Sequence, residues 1–333
     1  MSTVTKLPSI NVYGLGGCGI NVINQLINAD DQPVDNKDIG AGTIAHTYVL
    51  DTSMSNLQKY ELPKEVIQHL ISEEGAGKNR AVLKKDIIKY IERNKSDLVD
   101  NAADINILVF SLAGGSGSVI GPILAKEFVK HNHAVIIMGV VDTTSKMDTE
   151  NSIATMKELD ADSNELHQVY PVVLFDNTAV GRRKVNTSVV NRIEQCIMLF
   201  SSPDIEELDY NDRMHFLRPT DIHTSFEGGL YMLGISASKF EDTEALPGEV
   251  RATLEPGDTV EAYIHVSEDG LGVDLLATTS YIGIIDMDKQ PANIFAVIGV
   301  PVASKFIVGL NDTMNKFTQA SFVTNSSIQD TLK

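Results

Sequence analysis

The chain has 333 residues, of which 43% are hydrophobic, and its 27 basic and 45 acidic residues give a formal net charge of −18. This length allows a sizeable buried core and favours about two domains. The strong negative charge argues against non-specific binding to nucleic acid or to anionic membranes, so we expect no direct nucleic-acid partner.

The cysteines and the apolar runs indicate the compartment. Cys18 and Cys196 are the only cysteines, and they do not suggest a disulfide framework. No secretory signal is evident before Ile10, and the apolar runs are shorter than the roughly 18 residues of a transmembrane helix. We therefore expect a cytoplasmic protein with no membrane span.

The first predicted unit is a strand at residues 9–13, a glycine turn and a helix that continues to residue 27. Gly14, Gly16 and Gly19 satisfy the G-x-G-x-x-G pattern, which alone is a weak signal for a dinucleotide site. The acidic residue that such a site needs about 20 residues later is out of place, because the next strand ends only at Asp51. A nicotinamide-dependent oxidoreductase stays open on this motif.

A second glycine turn lies at residues 73–80, after a polar connection at residues 30–42 and the strand that ends at Asp51. An amphipathic helix follows it and carries its apolar residues at Val82, Ile87, Tyr90 and Ile91. Taken alone, this turn is equally typical of a plain surface loop.

The most specific motif is the turn at residues 112–118, between the apolar run at residues 105–110 and a helix from residue 119. Its three glycines allow backbone N–H groups to converge, and the next helix aims its free N–H groups and positive dipole end at the turn. We therefore predict a phosphate site, with a flexible Gly/Ser loop as the alternative. Because no lysine follows the turn, we expect backbone dipoles and a bound cation to neutralise the phosphates.

From residue 134 the alternation continues, with a strand at residues 134–141, a polar turn, a helix at residues 150–166 and a strand at residues 172–175. Four or more β–α units with short apolar strands predict a parallel sheet covered by helices on both faces. The three glycine turns then meet at the carboxyl ends of the strands, where open α/β sheets bind ligands.

A long helix is predicted at residues 185–202, and its apolar second half suggests burial between two domains. Pro203 ends it, and an acidic loop follows at residues 204–212. Asp209 and Asp212 in this loop can orient a water molecule, but a helix of roughly 18 residues places them about 27 Å from the glycine turns. They can therefore act only on a nucleotide held by a neighbouring copy. A solvated acidic loop is the alternative.

Beyond Pro219 we predict a second, mixed sheet with strands at residues 229–236, 260–266 and 295–300. A closing helix is expected at residues 301–320, followed by a flexible tail. The predicted units are therefore residues 1–184, 185–212, 213–320 and 321–333.

These motifs resemble those of the tubulin/FtsZ superfamily over nearly the whole chain. The turn at residues 113–118 is similar to the family's signature phosphate loop, residues 14–21 to its first nucleotide loop, and residues 75–79 to the loop that faces the γ-phosphate. Asn186 lies where a guanine-contacting asparagine opens the central helix, and Asp209 and Asp212 lie in the catalytic acidic loop.

The resemblance implies an α/β, tubulin-like fold, in which a parallel-sheet GTPase domain is joined by a long central helix to a smaller mixed α/β domain. It implies GTP or GDP with Mg²⁺ as cofactors and Asp209 and Asp212 as catalytic residues. Asp212 would help Asp209 or bind the shared cation, and no dedicated metal site is assigned. The nucleotide would contact Gly16, Gly17, Cys18, Asn21, Asp51, Gly75, Ala76, Gly77, Lys78, Asn79, Ala113, Gly114, Gly115, Ser116, Gly117, Ser118, Asp148, Asn177 and Asn186.

Some residues depart from the family pattern: Ala113 replaces a glycine, Ser116 a threonine, and Glu207 the asparagine before the acidic pair. The version at residues 114–122 most resembles the tubulins of large bacteriophages, whose filaments position phage DNA compartments. The resemblance thus implies a GTPase that polymerises head to tail into dynamic filaments in the host cytoplasm. Its partners would be itself and a phage capsid or DNA-compartment cargo.

Two further functions stay open beside this one. An FtsZ-like bacterial division GTPase carries the same motifs. The Glu207 substitution also leaves open a nucleotide-binding protein that assembles without hydrolysis.

Overall fold

Strands and helices alternate through the first half of the chain. The computed structural model describes residues 6–28, 44–72, 75–201, 209–221, 227–239, 263–266, 273–287, 290–301 and 303–330. The elements of this half are β1 (Ile10–Leu15), α1 (Gly16–Asn28), β2 (His46–Asp51), α2 (Met54–Leu57), β3 (Ile67–Leu70), α3 (Arg80–Arg93), α4 (Lys95–Leu98), β4 (Ile105–Ser111), α5 (Gly117–Lys130), β5 (Ala134–Val141), α6 (Lys146–Glu165) and β6 (Val169–Asp176).

The second half holds the long central helix and the C-terminal strands. Its elements are α7 (Asn177–Val180), α8 (Arg182–Ser201), α9 (Tyr210–Leu217), a 3₁₀ turn (Pro219–Asp221), β7 (Gly229–Lys239), β8 (Tyr263–Val266), β9 (Val273–Met287), β10 (Gln290–Pro301) and α10 (Ala303–Asp330). Several predicted segments lie outside the described residues in whole or in part, namely those at residues 30–42, 73–74, 204–208, 260–262 and 331–333.

The strands in the described ranges form one ten-stranded sheet, in the order β3-β2-β1-β4-β5-β6-β7-β10-β9-β8. The first seven strands are parallel, and β10, β9 and β8 add antiparallel pairs. The prediction of a separate second sheet was therefore wrong. The start of β7 pairs with β6, whereas its length from Tyr231 to Lys239 pairs with β10.

The closing helix also differs from its prediction. It continues to Asp330, so residues 321–330, which were expected to form a flexible tail, belong to α10. Among the helices in the described ranges, none is long and apolar enough to cross a membrane.

Helices cover both faces of the parallel strands, as predicted. Apolar side chains of α1, α8 and α9 pack on one face, and those of α3, α5, α6 and α10 pack on the other. Strands β1 and β5 are buried along their whole length, which is the pattern of a parallel sheet between two helical layers. The apolar second half of α8 is buried from Cys196 to Ser201.

Two glycines of the first motif serve packing rather than the turn. A Cβ at Gly19 would lie 2.4 Å from the carbonyl oxygen of Val109, and a Cβ at Gly14 would lie 2.5 Å from the side chain of Ile23. Only glycine allows α1 to lie this close to β1 and β4. Gly16 forms the turn itself, with a φ of +68°.

Gly121 on α5 and Gly309 on α10 form a matched test of this packing. A Cβ at Gly121 would lie 2.5 Å from the buried ring of Phe110, whereas nothing lies within 4 Å of a Cβ at Gly309. We expect Gly121→Ala to lower the free energy of unfolding by about 1–3 kcal/mol through overpacking. Gly309→Ala should instead raise it by up to about 1 kcal/mol through helix propensity. Chemical denaturation measures both; equal effects would contradict this packing of α5.

Candidate functional site

A cleft lies at the carboxyl ends of the parallel strands. It has two adjoining lobes, with volumes of about 460 Å³ and 350 Å³. The lobes share six residues along their boundary: Gly17, Cys18, Asn56, Lys78, Ser111 and Gly114. The three glycine turns therefore meet at one site, as predicted.

The smaller lobe is lined mainly by backbone. Its walls are residues 15–18, residues 75–78 and residues 114–117. Helices α1 and α5 begin at Gly16 and Gly117, so both direct free N–H groups and the positive end of the helix dipole into the lobe. This arrangement suits a phosphate chain.

The two helix starts touch through their backbones. A Cβ at Gly16 would lie 2.7 Å from the amide nitrogen of Gly117, and a Cβ at Gly117 would lie 2.4 Å from the carbonyl oxygen of Leu15. No residue with a side chain fits either position without displacing the other loop. The two sets of N–H donors are adjacent because both positions are glycine.

Buried hydroxyl and carboxyl groups hold the loop at residues 112–117. Ser118 Oγ donates hydrogen bonds to the carbonyl oxygens of Gly114 (2.5 Å) and Gly115 (3.3 Å). Ser116 Oγ lies 2.5 Å from Thr52 Oγ1. Asp51 accepts from the Thr52 N–H at 2.6 Å and from Asn56 at 2.7 Å, and burial raises the pKa of its carboxyl group.

The loop at residues 75–79 closes the smaller lobe. Gly75, Gly77 and Lys78 all have left-handed backbone conformations, with φ values of +71°, +52° and +62°. Lys78 Nζ donates to Asp148 Oδ1 at 2.6 Å. The Asn151 amide donates to the carbonyl oxygens of Lys78 (3.0 Å) and Ala113 (3.1 Å), so it connects this loop to the loop at residues 112–117.

The larger lobe presents polar groups suited to a purine edge. Asn177 donates from Nδ2 to Asp142 Oδ2 at 2.8 Å, which fixes its amide; its Oδ1 is buried and accepts no hydrogen bond from the described part of the chain. Burial alone would raise the pKa of Asp142, but hydrogen bonds from Thr144 and Asn177 lower it. The carboxylate therefore stays charged, and Asn177 Oδ1 stays available as an acceptor.

Asn186 lines the same lobe from within a helix. The sequence suggested that Asn186 opens the helix. Because α8 begins at Arg182, however, Asn186 lies in its second turn. A helix-capping role for Asn186 is excluded by this position.

Among the residues that the structure describes, three side-chain cations line the cleft, namely Lys59, Lys78 and Arg182. The sequence predicted that backbone dipoles and a bound cation would neutralise the phosphates. It did not indicate Lys59 or Arg182. They come from segments far from the glycine motifs, and so does Asn56. Cys18 also lines both lobes, and burial raises the pKa of its thiol to about 12, so it is a neutral group here.

Most of the predicted contact residues line the cleft, but three do not. Asp51 and Ser118 hold the loop at residues 112–117 from behind, and Asn79 caps α3 by accepting from the Ala81 N–H at 3.1 Å. Within the described ranges, no group of three His, Cys, Asp or Glu residues could hold a metal ion.

The predicted catalytic pair lies away from this cleft. Asp209 and Asp212 form a capping box at the start of α9: Asp209 Oδ1 accepts from the Asp212 N–H at 2.9 Å, and Asp212 Oδ2 accepts from the Asp209 N–H at 3.1 Å. Tyr210 donates to Asp104 Oδ1 at 2.7 Å. Asp104 directly precedes β4, so this contact places the pair at the amino edge of the sheet.

The carboxyl and amino edges are well separated. Strand β4 has seven residues, which span about 23 Å. Helix α8 has 20 residues, which span about 30 Å, and its first turns line the cleft while its end leads towards the acidic loop. Arg213, on the same helix as the pair, is buried. Burial lowers the pKa of its guanidinium to about 10, although Asp209 and Asp212 act to raise it, so Arg213 stays charged at neutral pH.

Comparison with known proteins identifies similar chains. Residues 9–184 match the sequence model of the Tubulin/FtsZ family, GTPase domain. The whole chain is 25% identical over 325 residues to a phage tubulin-like protein of Pseudomonas phage 201phi2-1, which covers 95% of this chain and 93% of that protein.

Solved structures show the same fold. One is a protofilament of TubZ from bacteriophage PhiKZ, with a TM-score of 0.66 and 20% identity over 94% of this chain and 91% of that one. Another is the phage tubulin PhuZ with GDP, with a TM-score of 0.67 and 20% identity over 94% and 92% of the two chains.

Gly115 and Gly114 separate loop packing from ligand contact. A Cβ at Gly115 would lie 2.6 Å from the Cβ of Ala76, whereas a Cβ at Gly114 meets no protein atom closer than 3.6 Å. We expect Gly115→Val to displace the loop at residues 75–79, abolish nucleotide binding and cost about 1–3 kcal/mol of stability. Gly114→Ala should weaken binding with less than about 0.5 kcal/mol lost. Calorimetric GTP titration and thermal unfolding measure both effects; normal GTP binding by folded Gly115→Val would contradict the assignment.

Proposed function

This chain belongs to the tubulin/FtsZ family, and on that premise we propose that it binds and hydrolyses GTP and polymerises head to tail into filaments. One observation carries the proposal. The nucleotide cleft and the Asp209–Asp212 pair lie at opposite edges of one sheet, so a complete site requires two copies of the chain.

Binding would use both lobes of the cleft. The phosphates would lie in the smaller lobe, against the N–H groups at the starts of α1 and α5, with Lys78 nearby. The guanine would lie in the larger lobe, where Asn177 offers a fixed acceptor and Asn186 a second carboxamide. Mg²⁺ would be held mainly by the phosphates, since the described residues form no acidic cluster for it.

Hydrolysis requires a group that orients water at the terminal phosphate. The described residues that line the smaller lobe include no carboxylate and no imidazole. In the larger lobe, Asp142 is engaged by Thr144 and Asn177, and Asp148 by Lys78 and Ser145. The water-orienting group would therefore come from Asp209 of a second copy, with Asp212 as its helper.

This division couples assembly to hydrolysis. Docking the amino edge of one copy on the carboxyl edge of the next brings the acidic pair to the cleft. Such a contact uses two different surfaces, and when repeated without closure it produces a filament. The likeness to a protofilament of TubZ from bacteriophage PhiKZ supports this assembly.

A second candidate is a nucleotide-binding protein that assembles without hydrolysis. The capping box favours it, because Asp209 and Asp212 each satisfy a backbone N–H of α9 and so have a structural role already. The dinucleotide alternative has no such support. Asp51, at the end of β2, is fully buried and engaged by Thr52 and Asn56, so it cannot bind a ribose.

We further propose that the filaments act in phage infection, where they position a phage DNA compartment, rather than in bacterial division. The whole-length likeness to a Pseudomonas phage protein supports this role. Fluorescently tagged protein in infected cells tests it: filaments that contact the phage DNA support it, and a ring at the division site would contradict it.

Asn186→Ala tests guanine recognition. We expect weaker binding of GTP, by roughly tenfold for a lost base-edge hydrogen bond, with thermal stability unchanged or slightly higher because Asn186 caps nothing. Thr187→Ala, one residue along the same helix and exposed, is the control and should keep full affinity. Unchanged GTP affinity in Asn186→Ala would contradict the placement of the base.

Asp209→Ala and Asp209→Asn together test the catalytic pair. Both remove the carboxylate, but asparagine keeps a side-chain acceptor for the helix cap, whereas alanine loses the cap at a cost of about 0.5–2 kcal/mol. We expect both to bind GTP normally and to form filaments that persist, with hydrolysis lowered on the order of a hundredfold. Phosphate release from preassembled filaments measures the rate.

A mixture provides the control for action between copies. Asp209→Asn lacks the acidic group but has an intact pocket, and Gly115→Val lacks the pocket but has both aspartates. Where the two variants meet in a filament, the pocket of the first can face the aspartates of the second. Recovered hydrolysis in the mixture would support a shared site. Normal turnover by Asp209→Asn alone would contradict the mechanism and favour the second candidate.

A further inference from the structure

Helix α5 contains a proline at a position where the backbone needs a donor. Pro122 has no N–H, so the carbonyl oxygen of Ser118, four residues earlier, cannot receive its usual helical hydrogen bond. Ser118 is fully buried, which makes an unpaired carbonyl costly. The Arg80 guanidinium donates to this oxygen from Nη1 at 2.9 Å.

The same guanidinium is bound to helix α6. Arg80 Nη2 donates to Glu158 Oε2 at 2.6 Å, and Nη1 also donates to Thr155 Oγ1. Thr155 Oγ1 in turn donates to the carbonyl oxygen of Leu112 at 2.8 Å. Burial lowers the pKa of Arg80, and Glu158 opposes the shift. Arg80, whose side chain is 14% exposed, is therefore a largely enclosed cation that joins three helices.

These contacts connect two loops of the cleft. Arg80 is the first residue of α3, directly after the loop at residues 75–79. Ser118, its carbonyl partner, holds Gly114 and Gly115 through its hydroxyl group. A shift of one loop is thus transmitted through one side chain to the residue that positions the other.

We propose that Arg80 is a positioning residue that couples the loop at residues 75–79 to the loop at residues 112–117, and so sets the preference for GTP over GDP. The inference rests on the proposed function, in which the phosphates lie in the lobe that the loop at residues 75–79 closes, so this loop is placed to meet a third phosphate. Three left-handed residues among the four at positions 75–78 make this loop an unusual backbone path, and Arg80 anchors it at the loop's end.

The chain provides a matched control. Lys84, one helical turn after Arg80, donates to the same Glu158 at 2.5 Å but is half exposed. Arg80→Ala and Lys84→Ala both remove a cation from Glu158, whereas only Arg80→Ala removes the donor to Ser118. Lysine at position 80 cannot replace the planar guanidinium fork that reaches several acceptors at once.

Adding Pro122→Ala separates support of the helix from coupling of the loops. Alanine at position 122 restores an N–H for the Ser118 carbonyl and improves helix propensity, but it makes no connection to α3. In Arg80→Ala, we expect a lower melting temperature, faster amide exchange at residues 75–79 and 112–117, and a roughly tenfold smaller ratio of GTP to GDP affinity. In Arg80→Ala/Pro122→Ala, the melting temperature should return to the wild-type value. Amide exchange at residues 75–79 should stay fast, and the ratio of GTP to GDP affinity should stay low.

The experiment measures melting, hydrogen exchange of the nucleotide-free protein, and the dissociation constants of labelled GTP and GDP. Lys84→Ala should match the wild type in all three. The inference would be overturned if Arg80→Ala/Pro122→Ala regained the GTP preference together with its stability. It would also be overturned if Arg80→Ala and Lys84→Ala behaved identically. Wild-type protein that binds no GTP would overturn the proposed function and the nucleotide preference, and exchange alone would then decide whether Arg80 couples the loops.

Discussion

The backbone contact between the first turns of α1 and α5 is the constraint on which the rest of the site depends. Gly16 and Gly117 approach so closely that neither position can hold a Cβ. This contact places two helix dipoles side by side, each with unpaired N–H donors directed to one point. Around this contact, the Ser118 hydroxyl holds the loop at residues 112–117, and the Asn151 amide ties that loop to the loop at residues 75–79.

The parts of this arrangement that are local in sequence could be predicted, and those that depend on distant segments could not. The glycine turns, the parallel strands and the edge at which the turns meet all follow from short patterns, because a buried strand followed by a glycine turn and a helix has few structural solutions. Lys59, Arg182 and Asn56 carry no local signal. They reach the cleft only through the path of the chain after β2 and β6.

The differences between the sequence-based expectations and the structure have a similar origin. The change in sequence pattern after Pro219 indicated a new sheet. A sequence pattern does not reveal which sheet edge a strand will join, and in the structure β7 joins β6. The resemblance implied ligand contacts for Asp51 and Ser118, whereas both residues are fully buried and neither lines the cleft. Asp209 and Asp212 form a capping box at the i and i+3 spacing, which is also the spacing of the proposed catalytic pair, so the pattern alone does not separate the two roles.

Strand β7 has a mechanical consequence. At Tyr231 its backbone is paired with Pro171 of β6 on one side and with Pro301 of β10 on the other, so the strand belongs to both parts of the sheet. Tension applied to the C-terminal strands therefore passes into the cleft-forming strands as shear along hydrogen-bonded backbones. No side-chain interface has to slide at that junction. A load on the C-terminal strands thus reaches β6 through the backbone of β7.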